Sequence, residues 1–328
     1  MKRHHLILAI LLVVQIALSA FVFWPRAAAT GGGEPLFADL ETGDIVALTI
    51  TDDQGNSVAL RKDVGAWGLP DADDYPADES RITPVLEKIV ALNTRRLVTR
   101  TDTSHKRLQV AVDDFVRRIG FETSDGTAHI IYLGSAPSYG ATHFRLDGRN
   151  ETYLADDLST WEVNATAASW VDTTYFSVDQ EELTQVTLEN ANGTFVFTRD
   201  DGGNWTLEGL EEGEELASGK VSTAINRATL VTLVSPLGQD GDPAYGLDDP
   251  VATVTLESDD QTIALRVGAQ DPDDSSYVVK VSESPYYVRV AGYNVQPLVE
   301  NARDDFIQPP PTPAPEAEPT PEGESSTS

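Results

Sequence analysis

The chain has 328 residues, and 23 Lys and Arg against 53 Asp and Glu give it a formal charge of −30. A length of this order fits about two domains, and a hydrophobic content of 40% supplies material for folded cores. The acidity, with no Lys/Arg stripe to reverse it, excludes nucleic acid as a partner. The absence of cysteine excludes disulfides, thiolate metal sites, iron–sulfur clusters, cysteine nucleophiles and lipoprotein-type acylation.

In chain order, the first predicted element is a membrane helix. A basic head, Met1-Lys2-Arg3-His4-His5, precedes Leu6 to Trp24, nineteen residues with only Gln15 and Ser19 polar. As a helix this run spans roughly 28 Å, close to the hydrocarbon thickness of a bilayer. Ala27-Ala28-Ala29 offers a signal-peptide cleavage site, but the run is too long for a typical signal core and ends in the interfacial cluster Phe21-Val22-Phe23-Trp24. Residues 1–26 therefore read as a retained anchor that contacts the lipid bilayer through Leu6 to Trp24. Lys2 and Arg3 orient its N-terminus to the cytoplasm and leave the bulk of the chain extracytoplasmic, with Arg26 a minor dissent. Residues 27–35 (AAATGGGEP) read as a flexible tether of about 15–18 Å. At the other end, residues 308–328 are rich in Pro, Glu, Ser and Thr, carry no large apolar residue and are expected to be disordered.

Between these segments the sequence repeats. Arg61-Lys62-Asp63-Val64-Gly65-Ala66-Trp67 aligns with Arg199-Asp200-Asp201-Gly202-Gly203-Asn204-Trp205 at an offset of 138, and Gly134 and Tyr153 align with Gly268 and Tyr287 at an offset of 134. Between them Val112-Asp113-Asp114-Phe115-Val116 aligns with Leu247-Asp248-Asp249-Pro250-Val251 at an offset of 135. A drifting offset with preserved order marks a duplicated module with small loop deletions. One copy is placed at 36–175 and the other at 176–307.

Each copy opens with two strands around a turn: Ile45 to Ile50 and Val58 to Leu60 about Asp53-Gln54-Gly55-Asn56, then Val186 to Leu188 and Phe195 to Phe197 about Asn190-Ala191-Asn192-Gly193. The Trp follows on or just after the second strand. A helix comes next: Ile82, Val85, Leu86, Ile89 and Val90 recur at helical spacing, with Pro84 tolerable in the first turn. Its counterpart, Gly219 to Leu233, places Val221, Ala224, Ile225 and Ala228 on one face. Further strands are predicted at Ile119–Glu122, His129–Leu133, Thr142–Leu146 and Glu151–Leu154, and in the second copy at Ala252–Leu256, Thr262–Val267, Tyr277–Val281 and Tyr286–Val290. The expected fold is α+β: two tandem antiparallel-sheet modules with one main helix each, preceded by a single transmembrane helix.

The Trp followed by Tyr75-Pro76-Ala77-Asp78 before an amphipathic helix, then Tyr245-Gly246-Leu247-Asp248-Asp249-Pro250, the strand end at Gly268 and Tyr286-Tyr287-Val288-Arg289-Val290, resembles domain-of-unknown-function family 4340 over residues 40 to 300. The resemblance implies a membrane-anchored bacterial protein often found beside ABC-transporter components of the gliding-motility type. It implies no activity and no catalytic residues. The first copy departs from the pattern in having Phe115 where the second has Pro250.

Residues that carry chemistry are sparse. His4 and His5 belong to the basic head, and His105, His129 and His143 lie far apart with no H-E-x-x-H spacing. Gly134-Ser135-Ala136-Pro137-Ser138 is neither a nucleophile elbow nor a phosphate loop. Asp71-Ala72-Asp73-Asp74, Asp240-Gly241-Asp242 and Asp271-Pro272-Asp273-Asp274 supply oxygen ligands but lack the EF-hand order, and read as solvated acidic loops. The acidity, with 6 Lys against 17 Arg, also suits solubility in a salty medium. Trp67 and Trp205, at matching positions, are expected to pack helix against sheet, a carbohydrate platform being the alternative. Asp113-Asp114 and Asp248-Asp249 recur in both copies, which favours turns or caps over a catalytic pair.

No catalytic, cofactor-binding or metal-binding residue is assigned, and no cofactor is expected. The expected function is a non-enzymatic binding or assembly module, extracytoplasmic and anchored, accessory to an ABC-transporter-like complex. A ligand- or polymer-binding protein of the cell envelope with calcium-stabilised loops is the alternative, and an unrecognised hydrolase the second.

Overall fold

A computed structural model describes residues 33–308. The expected anchor at 1–26, residues 27–32 of the expected tether and the expected tail from 309 lie outside the described residues. Among the described residues no helix is long and apolar enough to cross a membrane. The chain divides into two compact units, one running up to Pro70 and including Pro76–Trp170, the other comprising Asp71–Tyr75 and Val171 onward.

The first unit begins with β1 (Ile45–Asp52), β2 (Ser57–Asp63) and β3 (Ala66–Leu69), followed by the two-residue β4 (Tyr75–Pro76), on which the division between units falls. Leu48 and Ile50 of β1 oppose Leu60 and Val58 of β2 and Phe121 and Ile119 on the other side. All six are buried, because the period-2 alternation turns them to one face. Helix α1 (Glu79–Val90) starts where the Asp78 carboxylate accepts the Ser80 N–H at 3.0 Å, an N-cap worth about 1 kcal/mol. It buries Ile82, Val85, Leu86 and Ile89, each contributing roughly 1.5–3 kcal/mol. Pro84 sits in the second turn rather than the first. It therefore leaves one helical carbonyl without its donor, and is accommodated because it lies on the exposed face. Then come β5 (Leu97–Thr99), the one-turn α2 (His105–Leu108), β6 (Arg117–Thr123), β7 (Ala128–Leu133), β8 (Thr142–Leu146) and β9 (Thr152–Ala155).

The second unit has β10 (Thr174–Ser177), β11 (Leu183–Asn190), β12 (Gly193–Arg199), β13 (Trp205–Leu207), α3 (Ser218–Thr229), β14 (Leu230–Gly238), β15 (Ala252–Ser258), β16 (Thr262–Gln270), β17 (Tyr277–Val281), β18 (Tyr287–Val290) and α4 (Gly292–Val299). Its sheet runs β13-β12-β11-β15-β16-β17-β18-β14-β10, and that of the first unit runs β4-β3-β2-β1-β6-β7-β8-β9-β5. Apart from the terminal β4 and β10, the two orders match strand for strand in an antiparallel topology. Each helix connects corresponding strands, α1 leading to β5 and α3 to β14.

The counterpart of β10 lies in the expected tether. β10 is held to β14 by Leu233 N–H to Thr173 O at 2.9 Å and Val178 N–H to Thr229 O at 3.0 Å. In the first unit Thr94 N–H donates to Glu34 O at 3.1 Å, Leu36 N–H donates to Leu92 O at 2.8 Å, and Pro35 bridges Asn93. Glu34 and Pro35 are thus part of the fold rather than of a flexible tether. By the same token β10 belongs to the second sheet, so a module boundary at 175 would cut through it; the units divide after Trp170.

Three further expectations are corrected. The helix expected over 219–233 ends at Thr229, whose hydroxyl bonds back to Ile225 O at 2.9 Å. The following Leu-Val-Thr-Leu-Val run alternates in burial as a strand does. The second unit has a further helix, α4, beyond its one expected main helix. Its Pro297 interrupts the helical pattern in sequence, while Val295 and Leu298 are buried. The tryptophans lie on short third strands, paired Lys62 with Trp67 and Arg199 with Trp205. Lys62, not Arg61, is therefore the structural counterpart of Arg199, because the second hairpin loop is one residue longer and the preceding turn shorter.

The repeated Gly134 and Gly268 have a common cause. A Cβ on Gly134 would lie 2.0 Å from the Leu108 carbonyl oxygen, and one on Gly268 would lie 2.1 Å from that of Tyr245. In both units the loop before the sheet's second half is pressed against a strand where only glycine fits.

Candidate functional site: a charged cleft beside the first residues of the fold

The loop after β9 builds the most developed site of the first unit. Lys88, on α1, reaches Glu162 in a close ion pair and Asp157 at 3.4 Å. The second Glu162 oxygen accepts the Ser159 N–H at 3.0 Å. Burial works against the Lys88 charge, yet its hydrogen bond to Glu162 and the two carboxylates together hold the ammonium above its ordinary value. On the other side of the loop, Asp156 bonds Arg96 closely and Arg95 at 2.7 Å, and these two guanidiniums hold its carboxyl below the usual range. Residues 156–162 are thus stitched both to α1 and to the segment that leads into β5.

Between them lies a cleft of about 400 Å³ with an apolar floor of Leu92, Leu154 and Leu158 and a charged rim. Leu154 N–H donates to Arg96 O at 3.0 Å, which ties the floor to the segment that leads into β5. Trp161, on the same loop, is 66% exposed. Sequence reasoning did not single out any of these side chains. The adjacent Arg95 and Arg96 in an acidic chain, and a Trp outside the repeated positions, were the available signals.

The residues weighed in sequence stand apart. His105 Nε2 lies 2.9 Å from the Asn150 carbonyl, and His129 is stacked on Phe121 and meets the edge of Phe37. His143 is buried with Nδ1 at 2.7 Å from the Ser135 carbonyl and 3.1 Å from its hydroxyl. This Ser–His proximity does not make an activated nucleophile. The Ser135 hydroxyl is within 3.2 Å of the Leu108 carbonyl, and a proton on Nδ1 is directed at a carbonyl, so neither group is placed to pass a proton to the other.

The acidic loops turn their carboxylates on their own backbone. Asp242 accepts the Ala244 N–H, Asp271 that of Asp273 and Asp274 that of Ser276, at 2.8–3.0 Å. Asp271 also pairs with Arg289 at 3.0 Å. Asp73 and Asp74 carry left-handed backbone, φ 52° and 57°. Among the described residues no group of three or more His, Asp or Glu is arranged to hold a metal ion. Asp113 pairs with Lys106 at 2.8 Å, and the Asp114 carbonyl accepts the Ala111 N–H, so the first acidic pair makes a turn. Trp67 is buried, whereas Trp205 is half-buried.

The duplication extends to a cation at matching sheet positions, Arg145 buried and Lys280 half-buried. Arg145 on β8 donates to the Val110 carbonyl at 2.7 Å and stands 4.6 Å from the Tyr132 ring centre; Lys280 on β17 bonds the Ser284 carbonyl and stands 5.2 Å from that of Tyr287. Burial lowers the pKa of both. With carbonyls and rings as partners, they serve the fold of each unit.

Comparison with known proteins bears on the identity of the chain. No curated protein and no solved structure matches it. A family described as Domain of unknown function (DUF4340) matches residues 67–241, more than half of the chain. The match covers Trp67, the Tyr75-Pro76-Ala77-Asp78 entry to α1, and the second unit as far as β14; the motifs at 245–250, 268 and 286–290 lie beyond it. Two antiparallel sheets of one strand order, joined by helices at corresponding places, are the structure on which that match falls, and the chain belongs to the DUF4340 family.

Proposed function

We propose that the protein is a membrane-anchored, extracytoplasmic assembly module without catalytic activity, accessory to an ABC-transporter-like complex. The observation that carries the reading is the pinning of residues 34–36 against 92–94. With an anchor at Leu6–Trp24, it leaves only residues 25–33 to span the distance from bilayer to fold, at most about 30 Å when fully extended. A protein held so close to a bilayer, with two units of the same sheet, is suited to lateral contact with other membrane proteins. The transporter as partner rests on the family resemblance.

The test is crosslinking in the native membrane, gentle-detergent purification of the full-length chain, and identification of partners with the mass of the mature N-terminus. The reading predicts transporter subunits recovered with an intact Leu6–Trp24 segment, and recovery that survives a chelator. A chain that comes alone, or one cleaved after Ala29, contradicts it.

A further inference from the structure

We infer that the cleft between α1 and the loop after β9 binds a small zwitterion with an apolar body, of the size and charge of a short aliphatic peptide. The inference goes beyond the assembly reading and is independent of the anchor, because every residue it uses lies in the first unit.

The charges around the cleft are unequally paired, in opposite senses on its two sides. On the side of the segment that leads into β5, two guanidiniums, Arg95 and Arg96, share the one carboxylate of Asp156. On the helix side one ammonium, Lys88, is shared by the carboxylates of Asp157 and Glu162, and Glu87 adds a third. Positive charge is thus in surplus on one side and negative charge on the other, with the apolar floor of Leu92, Leu154 and Leu158 between them. Both surpluses face solvent: the side chain of Arg95 is 58% exposed and that of Asp157 85% exposed. Arg95 engages Asp156 through Nη2 at 2.7 Å, and a ligand carboxylate has the rest of its planar donor fork to bind.

An ammonium at Glu87 and Asp157, a carboxylate on Arg95 and an aliphatic body on the leucines match all three features at once. A volume of about 400 Å³ lies within the range of small-molecule sites. A molecule that carries only an anion or only a cation meets repulsion on one side. A zwitterionic lipid headgroup has its apolar part outside its two charges rather than between them.

The second unit supplies the contrast. Lys88 and Arg227 each stand two residues before the end of their helix, α1 and α3. Arg227 reaches Asn294 at 2.7 Å, a neutral partner on α4, which packs against α3. Lys88 instead reaches an acidic loop beside an open cleft, so the two units diverge where the cleft lies.

The test is equilibrium dialysis of tritiated leucyl-leucine against the full-length chain in mild detergent, with protein-free micelles as the blank. The unlabelled dipeptide should displace it at least about fivefold better than N-acetyl-leucyl-leucine, which lacks the ammonium, or leucyl-leucinamide, which lacks the carboxylate. Arg95→Gln should weaken the dipeptide about fivefold and leave the amide unchanged. Glu87→Gln combined with Asp157→Asn should weaken the dipeptide likewise and leave the acetylated form unchanged. No saturable binding, or equal competition by the capped forms, overturns the inference. So does a loss in the variants that falls equally on the dipeptide and both capped forms, which would show that these charges do not read the ends of the ligand.

Discussion

Val64 shows how a single residue can work against its turn. It joins β2 to β3 with φ 46°, followed by Gly65 at φ 90°, a hairpin turn with both central residues left-handed. Such turns favour Asn-Gly, and a β-branched side chain there is strained. Val64 is 99% exposed, so it gains no burial in return. Val64→Asn should raise stability by about 1 kcal/mol in urea unfolding. Gly134 and Gly268 are the opposite case: alanine at either should cost about 1–3 kcal/mol, because the facing carbonyl belongs to backbone that cannot step aside. Gly43, with open space around it, is the control, expected to change by less than about 0.5 kcal/mol on Gly43→Ala.

Acid titration belongs to the same scale. The Glu214 carboxylate pairs with Arg303 at 2.6 Å and accepts the Glu211 N–H, which lowers its pKa from 4.5 to about 2. A depressed folded-state pKa contributes stability that is fully present above the unfolded value and is lost as pH falls through the folded one. Glu214→Gln should therefore flatten the stability profile between pH 4.5 and about 2 and leave its slope near neutrality unchanged, as followed by pH-dependent unfolding.

At the scale of elements, regular periodicity was legible and short or interrupted elements were not. β8 and β17 have the predicted limits, Thr142–Leu146 and Tyr277–Val281, because both are short runs containing β-branched and aromatic residues and bounded by turns. Helix α1 was readable from Ile82, Val85, Leu86 and Ile89 despite Pro84. Strand β5 is three residues long and β13 likewise, too short for a period to register, and both depend on neighbours distant in sequence. Helix α4 was hidden by Pro297. The Lys88–Glu162 and Arg96–Asp156 pairs were out of reach for another reason: their partners are 74 and 60 residues apart. Lys88→Met should cost about 1–2 kcal/mol, less than for a fully buried pair, since it leaves Glu162 with Ser159 but no cation. Adding Glu162→Gln should restore part of that loss, which a double-mutant cycle would measure.

For the whole molecule, the duplication explains more than any local motif. It was visible in a few aligned residues, and the strand orders of the two sheets repeat it. It accounts for the paired glycines, for the matching Arg145 and Lys280, and for the way the opening segment of each unit is added beside the chain that leaves the helix. What differs between the units then stands out, above all the loop that carries Trp161 in place of α4. Neither the proposed anchor nor the proposed extracytoplasmic location follows from the folded residues; both are read from Leu6–Trp24 and the Lys2-Arg3 head in the sequence.

Because the chain contains no cysteine, one introduced thiol can report topology without background. The direct measurement is labelling of an Asp201→Cys variant, exposed in the second unit, by a membrane-impermeant maleimide in spheroplasts, with the labelled chain assayed for retention in membranes after alkaline wash. An anchored extracytoplasmic module predicts labelling without lysis and a chain that stays with the membrane. Labelling only after lysis, or release of the labelled chain by the wash, would contradict it.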